Sequence, residues 1–463
     1  MNDFSKTIAA VSTPRGKGGI AVIRLSGPDA AAVAGRIFLP KNGRALPDCP
    51  ARTAVFGTIL DSRGEPCDEG IAVLFRGPKS FTGEDVAEIS CHGGPAVTEA
   101  VLLSALAHGA AAAGPGEFTR RAFVNGRLSL TEAEAVGRLI DADTEERLAL
   151  SSGALRGTVS REIARISDGL LSAMTALYAA IDYPEEDVGD EGEREIGESL
   201  KQALCSVDRL LSTYRVGRAV ADGVKTVLCG RPNAGKSSVF NRMTGEESAI
   251  VTEVAGTTRD VLRETVSFGG VTLRLSDTAG VREAEDAVER IGVDRAEREI
   301  AAAELVIAVF DGSEPLTPED ERLLALLAPL QAPKIALVNK EDAGMRLTEE
   351  ELARIDAAAG RRIVMSAASG DTRALSDAVA EIFGSGALDL RADAVIWDVR
   401  QRQALSQARS ALSAASEAMD RGDPIDCVCT LAEEAMAALN ETDGRGIDET
   451  IVAEIFKRFC VGK

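Results

Sequence analysis

The sequence predicts a multidomain protein: an N-terminal α+β domain, a central all-α helical domain, and an α/β domain inserted into the helical one. Three observations predict it. First, Gly230-Arg-Pro-Asn-Ala-Gly-Lys-Ser237 matches the phosphate-loop pattern G-x-x-x-x-G-K-[ST], between an apolar run at 227–229 and a helix-compatible run at 238–243. Second, apolar residues at helical spacing lie on both sides of that domain. Val159, Ile163, Ile166, Leu170, Met174, Leu177 and Ile181 precede it, and Leu405, Ala408, Leu412, Ala415 and Met419 follow it. Third, the first 118 residues mix strand-like runs with helical patterns. The boundaries read as 1–118, 119–215, 216–383 and 384–463, the second and fourth being halves of one helical domain.

In chain order, strands are expected near 7–11, 19–25, 54–60, 70–75 and 85–91, and helices near 29–37 and 96–107. The glycine-rich turn 14–19 could bind an anion, although a connecting turn is the commoner meaning. Tyr183-Pro-Glu-Glu-Asp187 breaks the long helix, and the acidic stretch onward to Glu198 reads as a solvated loop. A helix then runs to about Tyr214, and two more, near 424–439 and 448–459, close the chain.

At 463 residues the chain has room for about three domains, and 45% hydrophobic content gives them cores. No apolar run reaches the roughly 18 residues of a membrane span, and the first residues lack a signal-peptide pattern. Eight scattered cysteines form no C-x-x-C, which argues against zinc or disulfide frameworks and suits a reduced cytoplasm. His92 and His108 are the two histidines, too few for a histidine-based metal site. The formal charge of −21 sets the chain against broad nucleic-acid contact.

The phosphate loop is one of four elements in order. Gly230 and Gly235 let the backbone curl so that its N–H groups face phosphate oxygens, and the following helix adds the positive end of its dipole. Lys236 would sit between the β- and γ-phosphates, and Ser237 would ligate Mg²⁺. Asp277-Thr-Ala-Gly280 follows an apolar strand at 271–275; its Asp can reach the Mg²⁺ shell and its Gly N–H the γ-phosphate. Asn339-Lys-Glu-Asp342 follows a strand at 334–338. Its final carboxylate can accept from guanine N1–H and the exocyclic amine, donors that adenine does not place there, which opposes an ATPase. Ser366 and Ala367 follow a short strand at 363–365 on the guanine side. Ligands of open α/β sheets bind at this carboxyl edge. The full nucleotide set is Asn233, Ala234, Gly235, Lys236, Ser237, Ser238, Thr252, Thr257, Thr258, Asp277, Thr278, Ala279, Gly280, Asn339, Lys340, Asp342, Ser366 and Ala367.

Further stretches stand outside the phosphate loop and base motif: Thr13-Pro-Arg-Gly-Lys-Gly-Gly-Ile20 with Arg24-Leu-Ser-Gly27, and Ser80-Phe-Thr-Gly-Glu-Asp85 with His92-Gly-Gly-Pro95. They continue in Gly116-Glu-Phe-Thr119 with Arg121-Ala-Phe-Val-Asn-Gly126, Ala255-Gly-Thr-Thr-Arg-Asp260, and the terminal Phe459-Cys-Val-Gly-Lys463. With these stretches the chain resembles one family, the MnmE (TrmE) tRNA-modification GTPases. The resemblance implies a Ras-like P-loop GTPase domain and a folate-binding-like N-terminal domain. It also implies a homodimer that works with an FAD-bearing MnmG-like protein, as a heterotetramer, on C5 of the wobble uridine of certain tRNAs. The one-carbon unit would come from 5,10-methylene- or 5-formyl-tetrahydrofolate, with glycine or ammonium supplying the amine. Arg24, Glu88, Arg127 and Lys463 match folate-contacting positions, with Arg127 standing where the family more often has Lys. Leu439-Asn-Glu-Thr-Asp-Gly444 departs from the usual L-G-x-I-T-G-E.

For hydrolysis, Val281 occupies the place of the water-orienting Gln of Ras-like proteins and cannot do that work. The resemblance points to Glu289, acting through a bridging water, where the residues alone suggest a solvated helix glutamate. Lys236 and Asp277 complete the catalytic set. Arg259 and Arg282 are finger candidates by position alone. The family instead uses a K⁺ ion, for which Asn233, Thr252, Val254 and Thr257 match the ligands, while Ser237 and Thr258 match those of Mg²⁺. Cys460 is a weak nucleophile candidate; a lone cysteine is more often an apolar filler. The rival reading is a GTPase switch for ribosome assembly. Such proteins usually append a basic RNA-binding domain, and none is visible here. The tRNA contact would run through the complex, and no membrane contact is expected.

Overall fold

The computed structural model describes residues 5–14, 16–182, 189–245, 263–277, 298–446, 449–457 and 459–462. The chain folds into two compact units, one drawn from Met1–Ile140, Leu155–Ser167 and Met436–Lys463, the other from Asp141–Ala154 and Asp168–Ala435.

In the first unit β1 (Ile8–Val11), β2 (Ile20–Ser26), α1 (Ala30–Ile37), β3 (Phe38–Pro40), β4 (Val55–Leu60), β5 (Pro66–Phe75), β6 (Val86–His92), α2 (Pro95–Ala107) and β7 (Ala111–Ala112) follow one another. The strands form one sheet among the described residues, in the order β3-β4-β5-β6-β2-β1-β7. Period-2 alternation sets its faces. Ala21, Ile23 and Leu25 of β2 join the core with Val33, Ile37 and Val101 of α1 and α2, so the intervening Arg24 points to the opposite face. Strand ends fall close to those read from the sequence except at β5, which starts at Pro66 rather than 70. Its first residues pair through the main chain, Thr58 with Glu69 and Ile59 with Asp68, and a ladder needs no apolar side chains.

Next come α3 (Glu117–Val124), α4 (Leu130–Ile140), α5 (Glu145–Leu155), α6 (Thr158–Asp182) and α7 (Gly189–Ala221). The expected stripe of α6 is buried from Val159 to Leu177, but Ile181 is exposed. The stretch from Gly189 to Glu198 is helix, which corrects the expected acidic loop. Ile196, Leu200, Ala203, Val207 and Leu210 recur at spacings of 3 and 4 and are buried, while Glu193, Arg194 and Glu195 lie exposed. The same helix passes Tyr214 and ends at Ala221, because Val216, Ala219 and Val220 extend its buried face.

In the second unit α7 leads into β8 (Val224–Cys229), α8 (Lys236–Gly245), β9 (Arg263–Phe268), β10 (Val271–Asp277), β11 (Leu305–Asp311), α9 (Pro318–Leu327), β12 (Lys334–Asn339), α10 (Glu349–Ala359), β13 (Arg362–Val364) and α11 (Arg373–Phe383). The sheet order is β13-β12-β11-β8-β10-β9, parallel except for β9. Strand β8 lies between β10 and β11, so connections leave it in both directions, and its carboxyl end is the switch point where such sheets bind ligands. The chain closes with α12 (Val399–Arg421), α13 (Ile425–Thr442) and α14 (Glu449–Phe456).

Helices before and after the parallel sheet pair as expected: Arg409 Nε of α12 donates to Asp208 of α7 at 2.5 Å, and Lys201 Nζ donates to Asp420 at 2.8 Å. In the first unit the atypical 439–444 junction is well tied. Ser160 Oγ donates to Asp443 Oδ1 at 2.8 Å, and Leu130 N to Asp443 O at 3.1 Å. The tail beyond α14 is stitched to the N-terminal sheet: Val461 bridges Pro115, and Ser12 Oγ donates to Gly462 O at 2.9 Å.

Segment 395–397 crosses α7 closely. Ile396 N donates to Thr213 Oγ1 at 3.1 Å, and one turn later a Cβ on Gly217 would lie 2.1 Å from Ile396 O. Gly217→Ala is therefore expected to destabilise the chain by about 1–3 kcal/mol. A lower urea midpoint with an unchanged slope would show it; an unchanged midpoint would mean that the crossing has room to spare.

Candidate functional site

The phosphate loop leaves the buried end of β8. There Cys229 is 4% exposed, and burial pushes its thiol up to about 12, which leaves it inert. Gly230 has φ 151° and a Cβ there would lie 2.3 Å from Val309 O. Gly235 has φ 100°, and a Cβ there would lie 2.0 Å from Asn339 Nδ2. The loop is thus a cradle that only glycine at these two positions permits. Asn233 adopts φ 63°, a left-handed conformation that Asn tolerates, and its side chain is exposed. Lys236 Nζ donates to Gly230 O at 2.8 Å and Arg231 O at 2.9 Å, so its ammonium lies inside the loop. Ser237 and Ser238 are exposed on the first turn of α8, and Ala234 is buried.

The base side is assembled from three strand ends. Asn339, 2% exposed at the end of β12, donates from Nδ2 to Ala234 O at 3.0 Å and accepts from Ala367 N at Oδ1 at 2.9 Å. One side chain thus pins the phosphate loop to the loop after β13. Ser366 and Ala367 are buried, and Ser366 Oγ accepts from Ala368 N at 3.2 Å. The cavity between these loops measures about 560 Å³ and is lined by Ser238, Arg242, Asn339, Lys340, Asp342 and Ala367 among others. That size and the mixture of backbone and polar groups suit a nucleoside. Asp342 is exposed at its rim and free to accept from a base edge.

Three residues in or beside this cleft escaped the sequence reading. Arg242 on α8 donates to Ala367 O at 3.1 Å and Ala368 O at 3.4 Å, holding the base loop from the helix side. Asp311 ends β11 and takes Lys340 Nζ at 2.7 Å, Ser313 Oγ at 2.6 Å and Arg231 at 3.3 Å. Burial pushes its carboxyl up, but the bonds from Lys340 and Ser313 outweigh that and hold it below the usual carboxylate range. Arg231 also pairs with Glu314 at 2.6 Å and Asp320 at 3.4 Å. No pattern marks Arg231 or Arg242; Asp311 is signalled only by the apolar run of β11 that it ends.

Of the remaining expected residues, Asp277 ends β10 beside Leu228 of β8, which puts its backbone at the same sheet edge. Thr252, Val254, Thr257, Thr258, Thr278, Ala279, Gly280, Glu289 and Lys463 lie outside the described residues, as do Arg259, Val281 and Arg282.

In the N-terminal unit Arg24 and Glu88 face each other across β2 and β6 and form an ion pair at 2.8 Å. The Arg24 guanidinium carbon lies 5.6 Å from the Phe81 ring centroid and 5.7 Å from that of Phe118. Arg127 is exposed, with its Cγ near Gly83. The stitched tail brings Cys460 alongside Gly116, whose N–H donates to Cys460 O at 3.2 Å. Cys460 is exposed, which corrects the filler expectation. The turn 14–19 does connect β1 to β2, and with Pro95, Thr98 and Leu102 it also lines a cavity of about 650 Å³.

A glycine cradle, a pinned base loop and the carboxyl edge of a parallel sheet define a P-loop guanine-nucleotide-binding protein. Comparison with known proteins is specific about which kind. The family description "GTP-binding protein TrmE N-terminus" matches residues 7–127, and "MnmE helical domain" matches residues 130–460. A curated protein of Symbiobacterium thermophilum named "tRNA modification GTPase MnmE" is 42% identical, over 99% of both chains. One of the same name from Geobacillus kaustophilus is 40% identical over the full length of both. The chain belongs to the MnmE (TrmE) family of tRNA-modification GTPases. No helix of the described residues is long and apolar enough to cross a membrane.

Gly235→Ala is expected to weaken GTP and GDP binding by about 100-fold or more, since the left-handed φ and the Asn339 side chain both oppose a Cβ. Titration with a fluorescent guanine nucleotide reads it, and wild-type affinity in that variant would show that the cradle is not where phosphate binds.

Proposed function

We propose that this chain is a K⁺-dependent GTP hydrolase acting, as a homodimer with an FAD-bearing MnmG-like partner, in C5 modification of the wobble uridine of certain tRNAs. The one-carbon unit comes from 5,10-methylene- or 5-formyl-tetrahydrofolate. The observation that carries the reading is that the guanine-type cleft and the Arg24–Glu88 site occur in one chain, aligned end to end with relatives named as tRNA modification GTPases.

The nucleotide residues divide the work. Asp342 accepts from the guanine edge, and Lys236 exchanges the carbonyls of Gly230 and Arg231 for phosphate oxygens. Ser237 with Thr258 would hold Mg²⁺, and Asn233 with Thr252, Val254 and Thr257 would hold K⁺. Asn233 and Ser237 fit these tasks, since both are exposed oxygen-bearing residues at the loop. The bound cations would offset charge developing on the phosphates. Glu289, rather than Val281, would orient the attacking water through a second water, and Asp277 would act from the sheet edge.

For folate, Arg24 and Arg127 supply cations suited to a glutamyl-bearing ligand, Lys463 a third, and Glu88 an acceptor for pterin N–H groups. The aromatic rings beside Arg24 fit a flat ligand. The tail residues 460–462 are sewn to Ser12 and Gly116 of this unit, which supports a part for the tail in the site. A formal charge of −21 argues that the partner supplies most of the tRNA surface, and the setting is the cytoplasm.

The function is tested by mass analysis of wobble nucleosides after deletion of the gene, and by GTP turnover in potassium against sodium buffer. Loss of the modified uridine and faster turnover in potassium are expected; unaltered nucleosides would refute the pathway, and equal rates would refute the K⁺ role. For the N-terminal site, calorimetry with 5-formyltetrahydrofolate is expected to show binding that Arg24→Ala abolishes, and wild-type affinity in that variant would remove Arg24 from the site.

A further inference from the structure

Lys340 follows Asn339 in the base loop and stands at φ 67°, a left-handed conformation that a lysine adopts only when its surroundings hold it there. The residue lines the base cavity, and its ammonium donates to Asp311 Oδ2 at 2.7 Å. Arg231 belongs to the phosphate loop, and its guanidinium reaches the same Oδ2 at 3.3 Å. Oδ1 of that carboxylate is fixed separately by Ser313 N at 3.0 Å and Ser313 Oγ at 2.6 Å. The Asp311 side chain is 3% exposed, so its geometry is set by these donors and not by water.

We propose that Asp311 is a positioning residue for GTP: one buried carboxylate that ties the phosphate loop, through Arg231, to the base loop, through Lys340. The proposal rests on the guanine-nucleotide reading of the cleft and adds a residue to it that touches no nucleotide. The physical reason is the lone-pair capacity of a carboxylate. An ionised Asp accepts from several donors at once, whereas an amide of the same shape has one accepting oxygen and presents N–H donors at the other position. The two loops come from strands β8 and β12, which are not neighbours; β11 lies between them, and its last residue is Asp311. The intervening strand thus supplies the clamp between the loops on either side of it.

The two arms are unequal. If the charge at 311 is lost, Arg231 keeps Glu314 and Asp320 as partners. Lys340 keeps no other carboxylate among the described residues. The effect of removing the carboxylate therefore travels mainly through Lys340, and a residue that lines the base cavity loses its anchor. Binding of the whole nucleotide suffers, while Lys236 and the hydrolytic residues are left in place.

The test is a double-mutant cycle on the full chain, with a fluorescent guanine nucleotide for affinity and steady-state turnover for kcat and KM. Asp311→Asn is expected to weaken GTP and GDP alike by about tenfold, raising KM while leaving kcat within about twofold of wild type. In a Lys340→Met background the same substitution is expected to cost under about twofold, because the ammonium through which it acts is gone. Should Asp311→Asn fail to fold, Ser313→Ala frees Oδ1 alone and is expected to weaken binding about two- to threefold, again only when Lys340 is present. Wild-type affinity in Asp311→Asn or in Ser313→Ala overturns the proposal. So does an undiminished loss in the Lys340→Met background, which is what a purely structural role gives. A wild-type chain that binds no GTP would instead sink the underlying reading, and this proposal with it.

Discussion

The two hydrogen bonds of the Asn339 side chain hold the nucleotide cleft together. Its amide donates to Ala234 in the phosphate loop, and its carbonyl oxygen accepts from Ala367 in the base loop, with the side chain almost wholly buried. Each partner is a backbone group that would otherwise be buried without one, at a cost of about 1–3 kcal/mol apiece. The requirement is geometric as well. The amide sits where a Cβ on Gly235 would be, so the glycine of the loop and the asparagine of the base motif each presuppose the other.

The parallel sheet makes that meeting possible. Strands β8, β11, β12 and β13 all deliver their last residues to one edge, so Cys229, Asp311, Asn339 and Val364 lead into loops that lie side by side. The interior of the sheet is mostly apolar, and β11 is buried at every position. That burial is what stabilises the edge as a platform, with each fully buried Val or Ile contributing about 1.5–3 kcal/mol. Charged residues are then concentrated at the rim, where Asp311, Arg231 and Lys340 compensate one another.

Legibility followed the length scale of each signal. The phosphate loop and the Asn339-Lys-Glu-Asp342 motif are local patterns, and both stand where a strand-to-loop reading puts them. The stripe of α6 and that of α12 were equally plain, because burial repeats every three or four residues. The acidic start of α7 misled because its charges are conspicuous in sequence, whereas the buried spacing from Ile196 to Leu210 that decides the matter is weaker to the eye. Strand β11 was passed over although its apolar run is clear, and Asp311 was lost with it. Arg231 and Arg242 act on carboxylates and carbonyls that lie far from them in sequence, at Asp311, Asp320, Ala367 and Ala368, and no local pattern can announce such partners.

The central claim is that this cleft selects guanine, with Asp342 reading the base. The most direct measurement is the nucleotide preference of Asp342→Asn, by competition of GTP and xanthosine triphosphate for the cleft. Asparagine replaces a carboxylate acceptor by a group that can donate, which mismatches guanine and matches the carbonyl that xanthine carries in place of the exocyclic amine. The account predicts GTP binding weakened by at least about tenfold and xanthosine triphosphate bound in preference to it. Unchanged GTP affinity with no gain for the xanthosine nucleotide would contradict it.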